Sequence, residues 1–242
     1  MPNKIKRSHA TAVKTASRGK AKAPRKRPKN YTSPPRLERI FAALDQLFPH
    51  AECALKHENP FQLLVATILS AQCTDERVNK VTPDLFRKYL TPQDFAAVRP
   101  EALAQDIRST GFFRNKAKNI AGAAQKVVSD FAGNVPRTME ELLTLPGVAR
   151  KTANVVLGTA YGLPAGVVVD THVFRIAHRL KLSSGKTPEK VEQDLMKIVR
   201  RDRWISFAHQ LIWFGRKICQ ARKPICAACP IEYLCDSPDK TI

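Results

Sequence analysis

Apolar side chains recur at every third or fourth position along most of the chain, which is the spacing of one face of an α-helix. Residues 35–48, 115–132 and 187–200 show this pattern most clearly. The last segment also begins with Thr187 as an N-cap and Pro188 at the first helical position. Only residues 165–170, AGVVVD, look extended, and they are too few to build a sheet. The pattern predicts an all-α fold of about ten short helices.

The chain carries a large excess of positive charge, +20 over 242 residues. Residues 1–35 contain eleven Lys or Arg and no acidic residue, and the remaining residues keep a surplus of +9. This surplus favours a polyanionic partner, most simply nucleic acid, although solvated surface accounts for part of it. The basic first segment predicts a disordered tail in preference to a targeting segment, because Pro24 and Pro28 interrupt any amphipathic helix.

Four of the six cysteines fall within the last 24 residues, with the spacing C-x6-C-x2-C-x5-C: Cys219, Cys226, Cys229 and Cys235. In a chain without an apolar secretory signal, such a cluster indicates metal ligation before disulfides. Four thiolates suit either Zn²⁺ or an iron–sulfur cluster, and their chemistry alone does not choose between the two.

Residues 139–162, MEELLTLPGVARKTANVVLGTAYG, predict a helix, a Pro–Gly turn and a second helix. Gly147 allows successive amide N–H groups to converge on one anion, and the start of the second helix adds its own amides. A nucleic-acid phosphate fits such a site, with Arg150 pairing with a neighbouring phosphate. Turns of this kind also join helices where nothing is bound.

Two residues near this turn suggest catalysis. Lys151 stands in the first helical turn, where the positive helix end and Arg150 both favour a neutral, nucleophilic amine. Asp170 follows an apolar run and precedes a helical pattern, so it is predicted to be an N-cap whose carboxylate stays ionised. Such a carboxylate near a lysine can stabilise a developing cation or manage its protons. The alternatives are a plain surface lysine and a purely structural cap.

Taken together, the hairpin with Lys151, the helix start at Asp170 and the terminal cysteines resemble the endonuclease III family. These are DNA glycosylases with lyase activity in the helix-hairpin-helix superfamily. The stretches LSAQCTDERVN (residues 69–79) and STGFFRNKAKNI (residues 109–120) add further matches, so the resemblance covers residues 34–238.

The resemblance implies two helical lobes with the active site in the cleft between them. Residues 1–33 would be a disordered basic tail, and residues 53–163 a six-helix domain with the helix-hairpin-helix. Residues 34–52 plus 164–242 would form an iron–sulfur cluster domain, in which the four cysteines hold a structural 4Fe–4S cluster. The cluster would position the basic residues Arg222 and Lys223 against the DNA backbone, and Trp213 and Phe214 are expected to pack under it.

The resemblance also implies base excision repair of oxidised pyrimidines in double-stranded DNA. Lys151 would attack C1′ of a flipped nucleotide, expel the base, form a Schiff base and nick the strand on its 3′ side by β-elimination, with help from Asp170. Gln72 and Phe112 would fill the hole left in the duplex. The DNA contacts of the hairpin would come from four consecutive residues: Gly147, Val148, Ala149 and Arg150.

Ala149 departs from the family hairpin, which usually reads LPGVG with glycine at this position. If the position needs a positive φ, alanine is strained there and the amides that face the phosphate are displaced. We therefore expect weaker or repositioned DNA contact at the hairpin.

Two other functions stay open: a monofunctional glycosylase of the same superfamily, and a helix-hairpin-helix DNA-binding module without catalysis. Monofunctional relatives generally lack a lysine at the position of Lys151, and their adenine-specific type has a further C-terminal domain. This chain ends seven residues after its last cysteine. In the binding module, the pairing of Lys151 with Asp170 would be a coincidence. No apolar run approaches the ~20 residues of a membrane span, and we expect a protein of the bacterial cytoplasm that associates with the nucleoid through DNA. Nothing in the sequence indicates an oligomer, so we expect a monomer.

Overall fold

The computed structural model of the protein describes residues 30–241, and the chain from Tyr31 onward forms one compact unit. Every regular element in this part of the chain is helical, so the predicted all-α fold is confirmed. The α-helices are α1 Pro34–Leu47, α2 Pro60–Leu69, α3 Asp75–Lys88, α4 Pro92–Ala97, α5 Pro100–Asp106, α6 Phe113–Phe131, α7 Met139–Leu142, α8 Arg150–Tyr161, α9 Thr171–Arg179, α10 Pro188–Ile198 and α11 Trp204–Lys217. Short 3-10 helices occupy Arg108–Thr110, Arg201–Arg203, Cys226–Ala228 and Glu232–Leu234.

Local chemistry sets several of the helix starts. Helix α10 begins at Pro188, and the Thr187 hydroxyl accepts a hydrogen bond from the Lys190 amide at 3.3 Å, as predicted. Residues 165–170 adopt no regular structure and lead directly into α9.

The most extensive contacts between helices fall into two groups. In one, α6 packs against α4 and α5 through its apolar face, and α2 packs against α8. In the other, α11 packs against α9 and α1. The rings of Phe41 and Phe207 meet edge-on at 5.5 Å, and Arg203 donates to Asp45 at 2.7 Å. Helix α1 therefore packs with the C-terminal helices, while the exact boundary between two lobes stays a prediction.

The predicted basic tail lies almost wholly outside the described residues. At its end, the Arg36 guanidinium sits 5.5 Å from the centre of the Tyr31 ring and also donates to Leu180 O at 2.8 Å. These contacts join the start of α1 to the end of α9. Among the helices of residues 30–241, none is long and apolar enough to cross a membrane.

Candidate active site

An open cleft of about 860 Å³ brings together the side chains that the sequence singled out for chemistry. Lys151, Asp170 and Gln72 all line it, although they are far apart in the chain. The walls come from the segment between α2 and α3, from the first turns of α3, α8 and α9, and from the last turn of α11.

Lys151 lies in the first turn of α8 and is exposed to the cleft. Its neighbour Arg150 is held by the buried carboxylate of Glu192, with Nε 2.7 Å from Oε2 and Nη2 3.1 Å from Oε1. The hydrogen bonds to Glu192 raise the pKa of the Arg150 guanidinium despite its partial burial. Because this carboxylate offsets the charge of Arg150, the expected repulsion between Arg150 and Lys151 is weakened. The start of α8, with its partial positive charge, still lies beside the Lys151 amine.

Asp170 is the N-cap of α9, as predicted. Its Oδ1 accepts hydrogen bonds from the amides of His172 at 2.9 Å and Val173 at 2.8 Å. Both cap bonds use the same oxygen, so Oδ2 stays outside the cap while the carboxylate is held at the cleft. His172 also lines the cleft, and burial lowers the pKa of its imidazole, which keeps the ring neutral near pH 7.

The wall of the cleft includes an ion pair that the sequence did not reveal. Asp75, in the first turn of α3, pairs with Arg216 from α11. The Arg216 guanidinium lies 5.4 Å from the ring of Trp213, whose indole N–H donates to Glu52 O at 3.1 Å. Asp75 stands inside the stretch LSAQCTDERVN and Arg216 two residues after Phe214, but no spacing in the sequence indicates that the two charged residues meet.

The placement of Trp213 corrects one expectation. Trp213 lines the Lys151 cleft, whereas Phe214 lines the cavity beside the cysteines. Consecutive residues on a helix point about 100° apart, so the two aromatic rings serve different sites.

The hairpin between α7 and α8 turns at Gly147, whose φ is +77°. A Cβ at Gly147 would lie 2.8 Å from Cβ of Asn119, so this position excludes a side chain on two grounds. Ala149 has φ −94° and ψ 170°, which is ordinary extended backbone. The strain expected from alanine at this position is therefore absent. Ala153 N–H makes the first bond of the helix, to Ala149 O at 3.0 Å, and the preceding amides belong to the open helix end.

Gln72 and Phe112 share an unusual backbone. Both are non-glycine residues with a left-handed φ, 52° for Gln72 and 48° for Phe112. Phe112 is 63% exposed, which excludes a core position for its ring. Strain of this kind costs on the order of 1 kcal/mol at each residue and is concentrated at functional sites. Both side chains are thus exposed to solvent on a strained backbone.

The four C-terminal cysteines line one small cavity, of about 30 Å³, together with Arg179 and Phe214. Burial raises the pKa of the Cys229 thiol to about 11, and the other three thiols add to the shift. Arg179 donates to Cys219 Sγ at 3.3 Å and to Gln220 O at 2.7 Å. Within residues 30–241, no three His, Cys, Asp or Glu side chains are arranged to hold a single metal ion. Arg222 and Lys223 are exposed on the loop after Cys219.

Comparison with known proteins agrees with this geometry. Residues 65–201 match the model of the HhH-GPD superfamily base excision DNA repair proteins. The chain is 54% identical to endonuclease III of Synechocystis sp. over 202 residues, which are 84% of this chain and 92% of that protein. It is 50% identical to endonuclease III of Bacillus subtilis over 208 residues, covering 84% and 94% of the two chains.

A solved structure shares the fold. It is a trapped endonuclease III–DNA covalent intermediate, with a TM-score of 0.79 and 46% identity over 83% of this chain and 95% of that one. Fold, sequence and cleft agree, and the chain belongs to the endonuclease III family of the HhH-GPD superfamily of base excision DNA repair proteins.

Proposed function

We propose that the cleft removes oxidised pyrimidines from double-stranded DNA and then cuts the strand, with Lys151 as the nucleophile for both steps. The observation that carries the proposal is the shared cleft of Lys151 and Asp170, each fixed at the start of a helix. A related endonuclease III, 46% identical to this chain, has been trapped as a covalent intermediate with DNA.

In the glycosylase step, Lys151 Nζ forms a bond to C1′ as the bond from C1′ to the base breaks, and the base leaves with the electron pair and takes up a proton. The sugar ring then opens to a protonated imine at C1′. In the lyase step, a proton leaves C2′ and the bond from C3′ to the 3′ phosphate oxygen breaks, which cuts the strand. Oδ2 of Asp170, outside the cap, is available to stabilise the positive charge and to accept the Lys151 proton.

DNA is held by two kinds of contact in this proposal. The hairpin Gly147–Ala149 and the open amides of α8 bind backbone phosphate, with Arg222 and Lys223 adding charge from the cysteine loop. Gln72 and Phe112 enter the duplex where the nucleotide has flipped out.

Val148 is nearly buried, so its contribution is its backbone. Arg150 is committed to Glu192 and reaches a phosphate only if that pair rearranges.

The four cysteines are the proposed ligands of a 4Fe–4S cluster. The proposal is supported by the cavity that all four cysteines line, because a thiolate-bound cluster needs its ligands around one space. The cluster would supply a rigid crosslink to the C-terminal loop. The side chain of Arg179 orients that loop through its bonds to Cys219 Sγ and Gln220 O.

A borohydride trapping experiment tests the assignment of Lys151. The protein, with its iron and sulfide content measured, is incubated with a duplex that carries one abasic site, and the imine is reduced. We expect a covalent protein–DNA adduct on a denaturing gel for the wild type and none for Lys151→Ala.

Lys217→Ala is the matched control, because Lys217 is a second lysine at the same cleft and its loss should leave an adduct. An adduct that persists in Lys151→Ala would contradict the assignment. A folded wild type that gives no adduct would leave a monofunctional glycosylase or a binding module in its place.

A further inference from the structure

The side chain of Lys116 is buried between the two loops that carry Gln72 and Phe112. It is only 4% exposed, and its ammonium group donates to Leu69 O at 2.8 Å and to Thr110 O at 2.7 Å. Leu69 is the last residue of α2, three positions before Gln72, and Thr110 stands two positions before Phe112. One amine therefore bridges two segments that are 41 residues apart, as counted from Leu69 to Thr110.

The surroundings of Lys116 disfavour a positively charged side chain. Lys116 lies near the start of α6, where the helix end is positive, and both hydrogen bonds go to neutral carbonyl groups. Burial lowers the pKa of the Lys116 amine, and the neighbouring Cys73 thiol, next to Gln72, opposes that shift. An apolar side chain of similar length would avoid these costs, so packing alone does not explain a lysine here.

The carbonyl ends of two helices stabilise the buried ammonium group of Lys116. Leu69 O is a C-terminal carbonyl of α2, and Thr110 O ends the 3-10 helix Arg108–Thr110. The carbonyl ends of helices carry partial negative charge, and both point at the same ammonium group. The interaction thus fixes the place where each helix stops and where each loop begins its left-handed turn.

We propose that Lys116 is a positioning residue that fixes the Gln72 and Phe112 loops relative to each other, so that both side chains enter the duplex together. This rests on the proposed function for the DNA-bound role of the two loops. The bridge itself is a property of the free protein. Because the strained residues Gln72 and Phe112 need support from their surroundings, loss of the bridge releases both loops at once.

Hydrogen–deuterium exchange of the free protein tests the bridge directly. In Lys116→Met we expect amides of residues 70–74 and 110–113 to exchange about tenfold faster, a local effect of lost support, while helices α9–α11 stay protected as in the wild type. Lys118→Met is the matched control, since Lys118 is an exposed lysine on the same helix, and both loops should keep their protection. Lys116→Gln is a second variant, which keeps a hydrogen-bond donor. Its loop amides should exchange at rates between those of the wild type and those of Lys116→Met.

A DNA measurement then separates positioning from catalysis. With 2-aminopurine opposite an abasic analogue, Lys116→Met should lose most of the fluorescence rise on binding, and KM should increase about tenfold with kcat changed less than threefold. Loop exchange equal to the wild type, or faster exchange spread evenly over all helices, would overturn the proposal. A wild type that gives no borohydride adduct would refute the proposed function. The exchange experiment would still test the Lys116 bridge, because it is made on the free protein.

Discussion

At the scale of single residues, Asp170 joins an observed structural role, the N-cap of α9, to the chemical role proposed for the same carboxylate. Its Oδ1 accepts both cap bonds at the start of α9, and the residue lines the same cleft as Lys151. Local sequence predicted the cap, because an apolar run followed by a helical pattern leaves Asp170 at the junction. The two roles can be separated, since Asn caps a helix as well as Asp but carries no charge.

Asp170→Asn should keep the fold and lose activity. We expect a change in the free energy of unfolding below about 0.5 kcal/mol, because the amide oxygen still accepts the His172 and Val173 bonds. The single-turnover rate of base removal should fall by about 100-fold or more, as the charge is lost. Thermal unfolding and a quenched-flow assay measure the two quantities. Equal rates for both proteins would assign Asp170 to structure alone.

At the scale of elements, the hairpin between α7 and α8 shows how two neighbouring positions differ. Gly147 has a positive φ, and Asn119 leaves no room there for a Cβ, whereas Ala149 has an ordinary extended backbone. The sequence marked the Pro–Gly turn correctly. It could not show which of the two positions requires glycine, because φ is set by how α7 and α8 pack.

Gly147→Ala and Ala149→Gly should therefore have unequal effects. The first adds a Cβ in the left-handed region at 2.8 Å from Asn119, and we expect a loss of stability of about 1–3 kcal/mol together with weaker DNA binding. The second should cost about 0.5–1 kcal/mol through a more flexible unfolded chain, with no gain in DNA affinity. Urea unfolding and a DNA titration compare them. Tighter binding by Ala149→Gly would show that alanine does hinder the hairpin.

At the scale of the whole molecule, the cleft depends on helices from both ends of the chain meeting around a partly polar interior. His209 of α11 is buried near Glu52, Arg216 and Asp170, and burial lowers its pKa against the pull of the two carboxylates. Burial also lowers the pKa of His172, which lies at the cleft. Both rings are therefore neutral in the folded protein over a range where the unfolded chain binds protons.

This difference predicts lower stability in mild acid. When the folded pKa lies below the unfolded value of about 6.5, the stabilisation is complete above that value and is lost as the pH falls through and below it. The free energy of unfolding should thus decrease between pH 7.5 and pH 5.5, a window that lies above the usual carboxylate range. His209→Gln should make this dependence shallower. Unfolding curves in urea at the two pH values check it, and a wild type that is more stable at pH 5.5 would contradict it.

The sequence alone determined the helical fold, the helix starts at Thr187 and Asp170 and the grouping of four cysteines along the chain, and it gave the proposal of Lys151 as the nucleophile. These follow from periodicity, capping and spacing, which act over a few residues. Only the tertiary structure decided that Arg150 is bound by Glu192, that Arg216 meets Asp75 and that Lys116 joins the loops of Gln72 and Phe112. Each of these contacts joins residues distant in the chain, and their partners are chosen by the packing of whole helices, which no local pattern records.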